Sequence, residues 1–282
     1  MFMFLVILLR YAVKLAYLGT NYFGFQRQPS KVTVESVLLE GLRRAGMIGS
    51  VREAKYASAG RTDRGVHAVS QVIAFNTDKE PCLPVLNAFL PRDVCCWAYA
   101  EVPEEFNPRR DALVKTYRYY AVWRGENLKS MRKAASFLIG THDFKNLCKP
   151  RGGELTVRTL KEVKVEKVGI FLCFTLSARS FLWKMARKIV SALLMVGRGS
   201  KPPEFITRLL DPNFKVQEGV EPAKPEGLIL YDIVYPFEFK VCERSKRTFL
   251  KYLNEMLYST LTLSAVYDTL REKLCGSPLI LP

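Results

Sequence analysis

The chain has 282 residues, 49 % of them hydrophobic, enough to bury the core of one large domain or two modest ones. Lys and Arg total 43 against 27 acidic residues, a formal charge of +16, which points to a polyanionic partner: nucleic acid first, an anionic membrane surface second. No run reaches the ~18–20 apolar residues needed to span a bilayer, and two histidines with seven cysteines, none in a Cys-x-x-Cys pair, argue against a zinc site.

The apolar start, residues 1–9, lacks a basic leader and a small-residue cleavage site, so it is expected to extend a first strand rather than to act as a targeting segment. That strand covers residues 11–17, and a glycine-bearing loop, residues 19–29, follows it. Thr33 is expected to cap a helix reaching about Ala45, with Val34, Val37, Leu38 and Leu42 on one face. Residues 55–59 read as a strand entering a tight loop and residues 69–75 as the strand leaving it. A short helix over 83–89 and a strand over 94–102 come next. Residues 103–111 are polar with two prolines and mark the expected junction between an N-terminal subdomain, 1–106, and a second, 107–238.

Beyond the junction the pattern begins again, with a strand over 113–122. A helix over 127–138 turns Leu128, Met131, Ala134, Ala135 and Leu138 inward, and residues 156–166 and 170–177 form a hairpin turning at Val168-Gly169. A long helix is expected over 181–196, another opened by Pro202-Pro203 and running to Leu210, and a last strand over 229–235. Short turns between many strands predict an α+β fold with a largely antiparallel sheet rather than a doubly wound one. The extension 239–282 carries Phe249, Leu250, Leu253, Met256 and Leu257 at helical spacing behind a basic start (Lys240, Arg244, Lys246, Arg247, Lys251). It is read as one or two helices packed on the body or on a partner subunit, in preference to an extra RNA-binding arm.

The chemistry concentrates in Ala59-Gly60-Arg61-Thr62-Asp63-Arg64-Gly65-Val66-His67-Ala68. One carboxylate, Asp63, sits between two arginines in a loop bracketed by glycines, which tolerate tight turns and close approach to a ligand. Arginines so placed can hold phosphate while the aspartate does chemistry. The seven cysteines are odd in number and mostly in apolar settings, as Cys173 is, which suggests reduced core thiols in a cytoplasmic protein. No phosphate-binding glycine loop appears, so no nucleotide cofactor is implied.

The Asp63 string closely resembles the signature loop of the TruA-type tRNA pseudouridine synthases. Tyr22-Phe-Gly-Phe-Gln-Arg-Gln28, Lys115-Thr-Tyr-Arg-Tyr119, Phe181-Leu-Trp-Lys-Met-Ala-Arg187 and Gly227-Leu-Ile-Leu230 resemble further family elements in the family's order, over about residues 10–236. The resemblance implies two related α/β subdomains on one central sheet with the active-site cleft between them. It implies isomerisation of uridine on the 3′ side of the tRNA anticodon stem-loop by a homodimer, with no metal and no other cofactor. Asp63 is then the catalytic residue, as nucleophile or as base.

By the same resemblance, Tyr117 stacks on the flipped uracil, Arg187 pairs with Asp63, Leu230 walls the base, and Arg61 and Arg64 contact RNA or help expel the base. Gln26, Lys184 and Lys188 are further RNA-contact candidates. A helix over 181–196 places Lys184, Arg187 and Lys188 near one side, as a phosphate track. Trp183, Lys184, Ala186 and Ser191 depart from the family pattern, and none is expected to touch a reacting group. His67 is read as a packed histidine closing the loop rather than a proton shuttle, and His142 as a loop cap. The rival readings are a non-catalytic α+β RNA-binding module and, more distantly, a metal-dependent nuclease, which gathers several carboxylates.

Overall fold

Residues 8–214 and 219–275 are described by the computed structural model. Strand β1 (Leu9–Tyr17) is buried on both faces along most of its length and lies between two other strands in the sheet. Residues 1–7 of the expected strand extension lie outside the described residues. Thr33 caps α1 (Val34–Arg44) with a reciprocal box: its Oγ1 accepts from the Ser36 N–H at 3.2 Å, and its own N–H donates to Ser36 Oγ at 3.0 Å.

The expected strand over 55–59 shrinks to β2 (Ala57–Ser58). Turn hydrogen bonds from the Ala54 N–H to the Ser50 carbonyl and from the Tyr56 N–H to the Val51 carbonyl claim the preceding backbone. Then follow β3 (His67–Thr77), α2 (Leu83–Ala88) and β4 (Val94–Val102). The second half supplies β5 (Val114–Val122), α3 (Leu128–Ser136), β6 (Gly140–Asp143) and the hairpin of β7 (Val157–Val168) with β8 (Phe171–Ala178). Helices α4 (Met185–Gly197) and α5 (Phe205–Leu210) precede β9 (Leu228–Val234), β10 (Lys240–Val241) and α6 (Glu243–Cys275).

All the strands share one ten-stranded sheet, ordered β10-β4-β1-β3-β9-β5-β8-β7-β6, with β2 paired to β3 off that path. Every pairing is antiparallel except β3 with β9. The fold is thus α+β with a largely antiparallel sheet. One core gathers α1 and α2 on β1, β3 and β4, and the other gathers α3, α4 and α5 on β5, β7 and β8. β9 joins the halves, giving Leu230 and Ile233 to the first core and Leu228 to the second.

Besides β2, one long helix departs from the sequence reading. The helix expected over 181–196 begins only at Met185, because Lys184 adopts a left-handed φ of 62° and the Lys149 N–H takes the Trp183 carbonyl at 2.9 Å. In the extension, in line with the reading of one or two helices packed on the body, α6 is a single 33-residue helix that rests on β4 and α2 through its first turns. Beyond Tyr252 and Leu253 most of its side chains are exposed, Leu257, Leu261 and Leu270 among them. No described helix is long and apolar enough to cross a membrane.

The cap on α1 gives a direct check. Thr33→Ala leaves helix donors without their partner and is expected to cost about 1 kcal/mol. For a chain of this size that lowers Tm by roughly 2–4 °C, measured by calorimetry on both proteins.

Candidate active site

The segment leading to Asp63 is fastened from four directions. The Lys115 ammonium donates to the Ala59 carbonyl at 2.5 Å, and the fully buried Gln71 donates through Nε2 to the Gly60 carbonyl at 2.9 Å. The Tyr17 hydroxyl shares a hydrogen bond of 2.8 Å with Thr62 Oγ1, and the Phe25 N–H donates to the Thr62 carbonyl at 3.1 Å. These anchors come from β5, β3, β1 and the loop before α1. Gly24, at φ +91°, lies so close that a Cβ there would sit 2.7 Å from the Thr62 carbonyl oxygen. The early Tyr22–Gln28 motif therefore braces the Asp63 loop. Gly65 needs its freedom too, at φ +81°, whereas Gly60 on the other side has no such angle.

Asp63 hangs from this frame into a cleft of about 1400 Å³. Arg187, in the first turn of α4, donates through Nη1 to Asp63 Oδ2 at 2.8 Å. The Arg187 side chain is 11 % exposed and that of Asp63 25 %, so the pair is poorly screened and the bond is of the strong, charge-assisted kind. Arg187 is aimed by a second bond, from its Nε to the Ala223 carbonyl at 2.6 Å.

The other carboxylate oxygen is also held: Trp183 Nε1 donates to Asp63 Oδ1 at 2.8 Å. This corrects the expectation for the departures from the family pattern: Trp183 does touch Asp63, the residue the resemblance assigns to the reaction. The early start of a helix would have turned Trp183 elsewhere; the left-handed Lys184 after it lets the indole reach the carboxylate.

Tyr117 lines the cleft from β5, and the pairing of β5 with β9 sets it opposite Leu230, which also lines the cleft. Phe181 meets the Tyr117 ring edge-on, with centroids 4.9 Å apart. Burial pushes the Tyr117 hydroxyl well above its ordinary range, and the Asp63 charge adds to that, so it stays protonated. Tyr117 and Leu230 thus offer an aromatic face and an apolar wall beside the carboxylate.

Arg61, Arg64, Gln26 and Lys184 all line the cleft, with the Arg64 guanidinium 4.4 Å from the Phe23 ring centroid. Lys188 does not line it: its ammonium donates to the Cys148 carbonyl at 2.9 Å and reaches the Asn146 carbonyl at 3.5 Å. Nor do Lys184 and Lys188 share a helical face, since Lys184 precedes the helix. His67 is packed, accepting at Nδ1 from the Gly19 N–H (3.1 Å) with Nε2 against the Glu226 carbonyl (3.2 Å), and burial lowers its pKa. His142 Nε2 lies 3.0 Å from the Ile139 carbonyl. Among the described residues no group of three or more His, Cys, Asp or Glu is placed to hold a metal ion.

Sequence reasoning missed several lining cations, notably Arg109, Arg110, Arg151 and Arg158. The paired arginines of the polar junction were a signal, but they read there as linker. Lys115 was seen only as part of a motif. Burial, with Arg109 adding repulsion, lowers its pKa from 10.5 to about 8. The folded chain holds that proton less tightly than the unfolded one, so the charged lysine costs stability at neutral pH. The cost is relieved as pH rises from about 8 towards 10.5. The stability of the wild type relative to Lys115→Met is therefore expected to rise across that window in urea melts; a difference that stays level would contradict the placement.

The model of the family described as tRNA pseudouridine synthase matches residues 13–107 and 134–236. A protein named tRNA pseudouridine synthase A from Methanosarcina mazei is 43 % identical over 237 residues, covering 83 % of this chain and 88 % of its own. Its namesake from Methanococcoides burtonii is 42 % identical over 237 residues, covering 83 % and 86 %. Another, from Pyrococcus furiosus, is 39 % identical over 267 residues, covering 93 % and 97 %. Matches of this depth, with the family model spanning the Asp63 loop and the Arg187 helix, place this chain in the tRNA pseudouridine synthase family.

Proposed function

We propose that this chain converts uridine to pseudouridine in tRNA, on the 3′ side of the anticodon stem-loop, with Asp63 as its catalytic residue. The observation that carries the reading is the carboxylate held at both oxygens, by Arg187 and Trp183, beside Tyr117 in a basic cleft. The reaction leaves the composition of the nucleotide unchanged. The C1′–N1 bond breaks, the base turns, C1′ joins C5, and C5 gives up a proton while N1 gains one. A fixed, ionised carboxylate serves either route, as a nucleophile on the sugar or base, or as a base removing a sugar proton.

A uridine stacked in a helix presents none of these atoms, so the base must be flipped out to react. Tyr117 would then receive the uracil on its face and Leu230 would close the other side. The cleft volume exceeds the ~300–1,000 Å³ of ordinary small-molecule sites, leaving space for flanking nucleotides. Arg61, Arg64, Gln26 and Lys184 at its rim suit phosphate and sugar contacts, which position RNA without reading sequence. Lys188 enters only as a support for the segment that carries Lys149.

The proposal includes a homodimer and a cytoplasmic setting. The first rests on the family resemblance. The second also draws on the cysteines: all seven are free, and burial raises Cys95 to about 12 and Cys148 to about 11, as expected of inert core thiols. Subdomains at 1–106 and 107–238 with a helical extension at 239–282 remain part of the reading, supported by the two cores.

Asp63→Asn separates an isomerase from a binding module. With unmodified tRNA transcript, carbodiimide labelling and primer extension should give stops in the anticodon arm for the wild type. The variant should lose at least about 100-fold in rate while still binding tRNA in gel shifts. A binding module would give no stops, and Asp63→Asn would tighten its hold on RNA by removing a negative charge. Light scattering on the purified protein tests the dimer.

A further inference from the structure

The indole that holds Asp63 Oδ1 is also the centre of a cation cluster. Around the Trp183 ring centroid lie Lys149 Nζ at 4.9 Å, the Arg151 guanidinium at 5.1 Å and Lys184 Nζ at 5.4 Å. None of the three forms an ion pair with an acidic side chain among the described residues. Lys149 and Arg151 are exposed, and Arg151 and Lys184 line the cleft. Lys149 is tied to the same spot through the backbone, its N–H donating to the Trp183 carbonyl at 2.9 Å. Three like charges around one ring repel one another, and the ring face compensates only in part. A phosphate among them would relieve that repulsion, and an RNA substrate bound in the cleft is rich in phosphates.

We infer that Trp183 is a positioning residue: it couples a backbone-phosphate seat formed by Lys149, Arg151 and Lys184 to the orientation of Asp63. The inference rests on the proposed reaction and deepens it. The indole has one polar atom, its N–H, and that atom is committed to Asp63 Oδ1. The ring is therefore held at its edge by the carboxylate and has three cations within 5.4 Å of its centroid. A phosphate that draws the cations together sets the plane of the ring, and with it the plane of the carboxylate, against the opposing grip of Arg187. Asp63 is then fully oriented only when RNA backbone is seated, which favours reaction on a docked polynucleotide over a free nucleoside.

The test uses the full chain labelled with 5-fluorotryptophan, whose three tryptophans give three fluorine lines. The Trp183 line is assigned by its loss in Trp183→Phe. It should shift in Asp63→Asn and on addition of tRNA, and the tRNA shift should vanish in Lys149→Gln/Arg151→Gln. In turnover, Trp183→Phe keeps the ring but loses the donor. Its kcat should fall roughly 10- to 100-fold, while KM changes by less than about threefold. Trp183→His restores a ring N–H and should recover part of the loss. Wild-type kcat in Trp183→Phe, or a Trp183 line that tRNA does not move, overturns the inference while leaving the isomerase reading intact. If the wild type makes no pseudouridine, that reading fails instead, and the response of the Trp183 line to tRNA and to Asp63→Asn still decides whether the coupling exists.

Discussion

A carboxylate that reacts with a bound nucleotide must be in place before the nucleotide arrives, since orienting it during the reaction would add to the barrier. Asp63 sits on a loop, the kind of segment that is ordinarily mobile. What holds it is the set of bonds to the backbone just before it. Lys115, Gln71, Tyr17 and the Phe25 N–H each take one group between Ala59 and Thr62. With those groups held, the carboxylate can be gripped at both oxygens by Arg187 and Trp183 without dragging the loop towards them.

The sheet order supplies those anchors. The loop leads into β3, so β1 beside it brings Tyr17, and β3 itself brings Gln71. β9 lies between β3 and β5, parallel to the first and antiparallel to the second. Its insertion brings Lys115 and Tyr117 on β5 within reach of a loop from the other half of the chain. The same strand supplies Leu230. Had β9 added to an outer edge instead, the two halves and their two cores would lie apart, with the cleft unformed.

The positive charge is divided between two tasks. Lys115, Arg187 and Lys188 spend their hydrogen bonds on backbone carbonyls or on Asp63, and serve as structure. Arg61, Arg64, Arg151 and Lys184 stand at the cleft with their charges available to a polyanion. The distinction is one of burial. A cation removed from water needs fixed acceptors, and the carbonyls of the Asp63 loop and of the segment before β7 are those acceptors.

Read without structure, the chain already defined its α+β class, most of its elements and the loop bearing Asp63. These depend on local patterns: strand-like apolar runs at β1 and β4, the Thr33 cap, and a glycine-bracketed run of charges. Pairing of Asp63 with Arg187 was legible only through family resemblance, because 124 residues separate them. Trp183 was passed over, since a helical pattern running through residue 181 disguised it as one more residue on a helix. Local propensity has no knowledge that the Lys149 N–H will take the Trp183 carbonyl, or that Lys184 will turn left-handed. Lys188 was misjudged for the same reason: spacing along a helix fixes a side chain's direction, but not what lies there to meet it. Which groups exist is a property of the sequence; which of them meet was decided by the insertion of β9 and by the hydrogen bonds that buried groups must find once water is excluded.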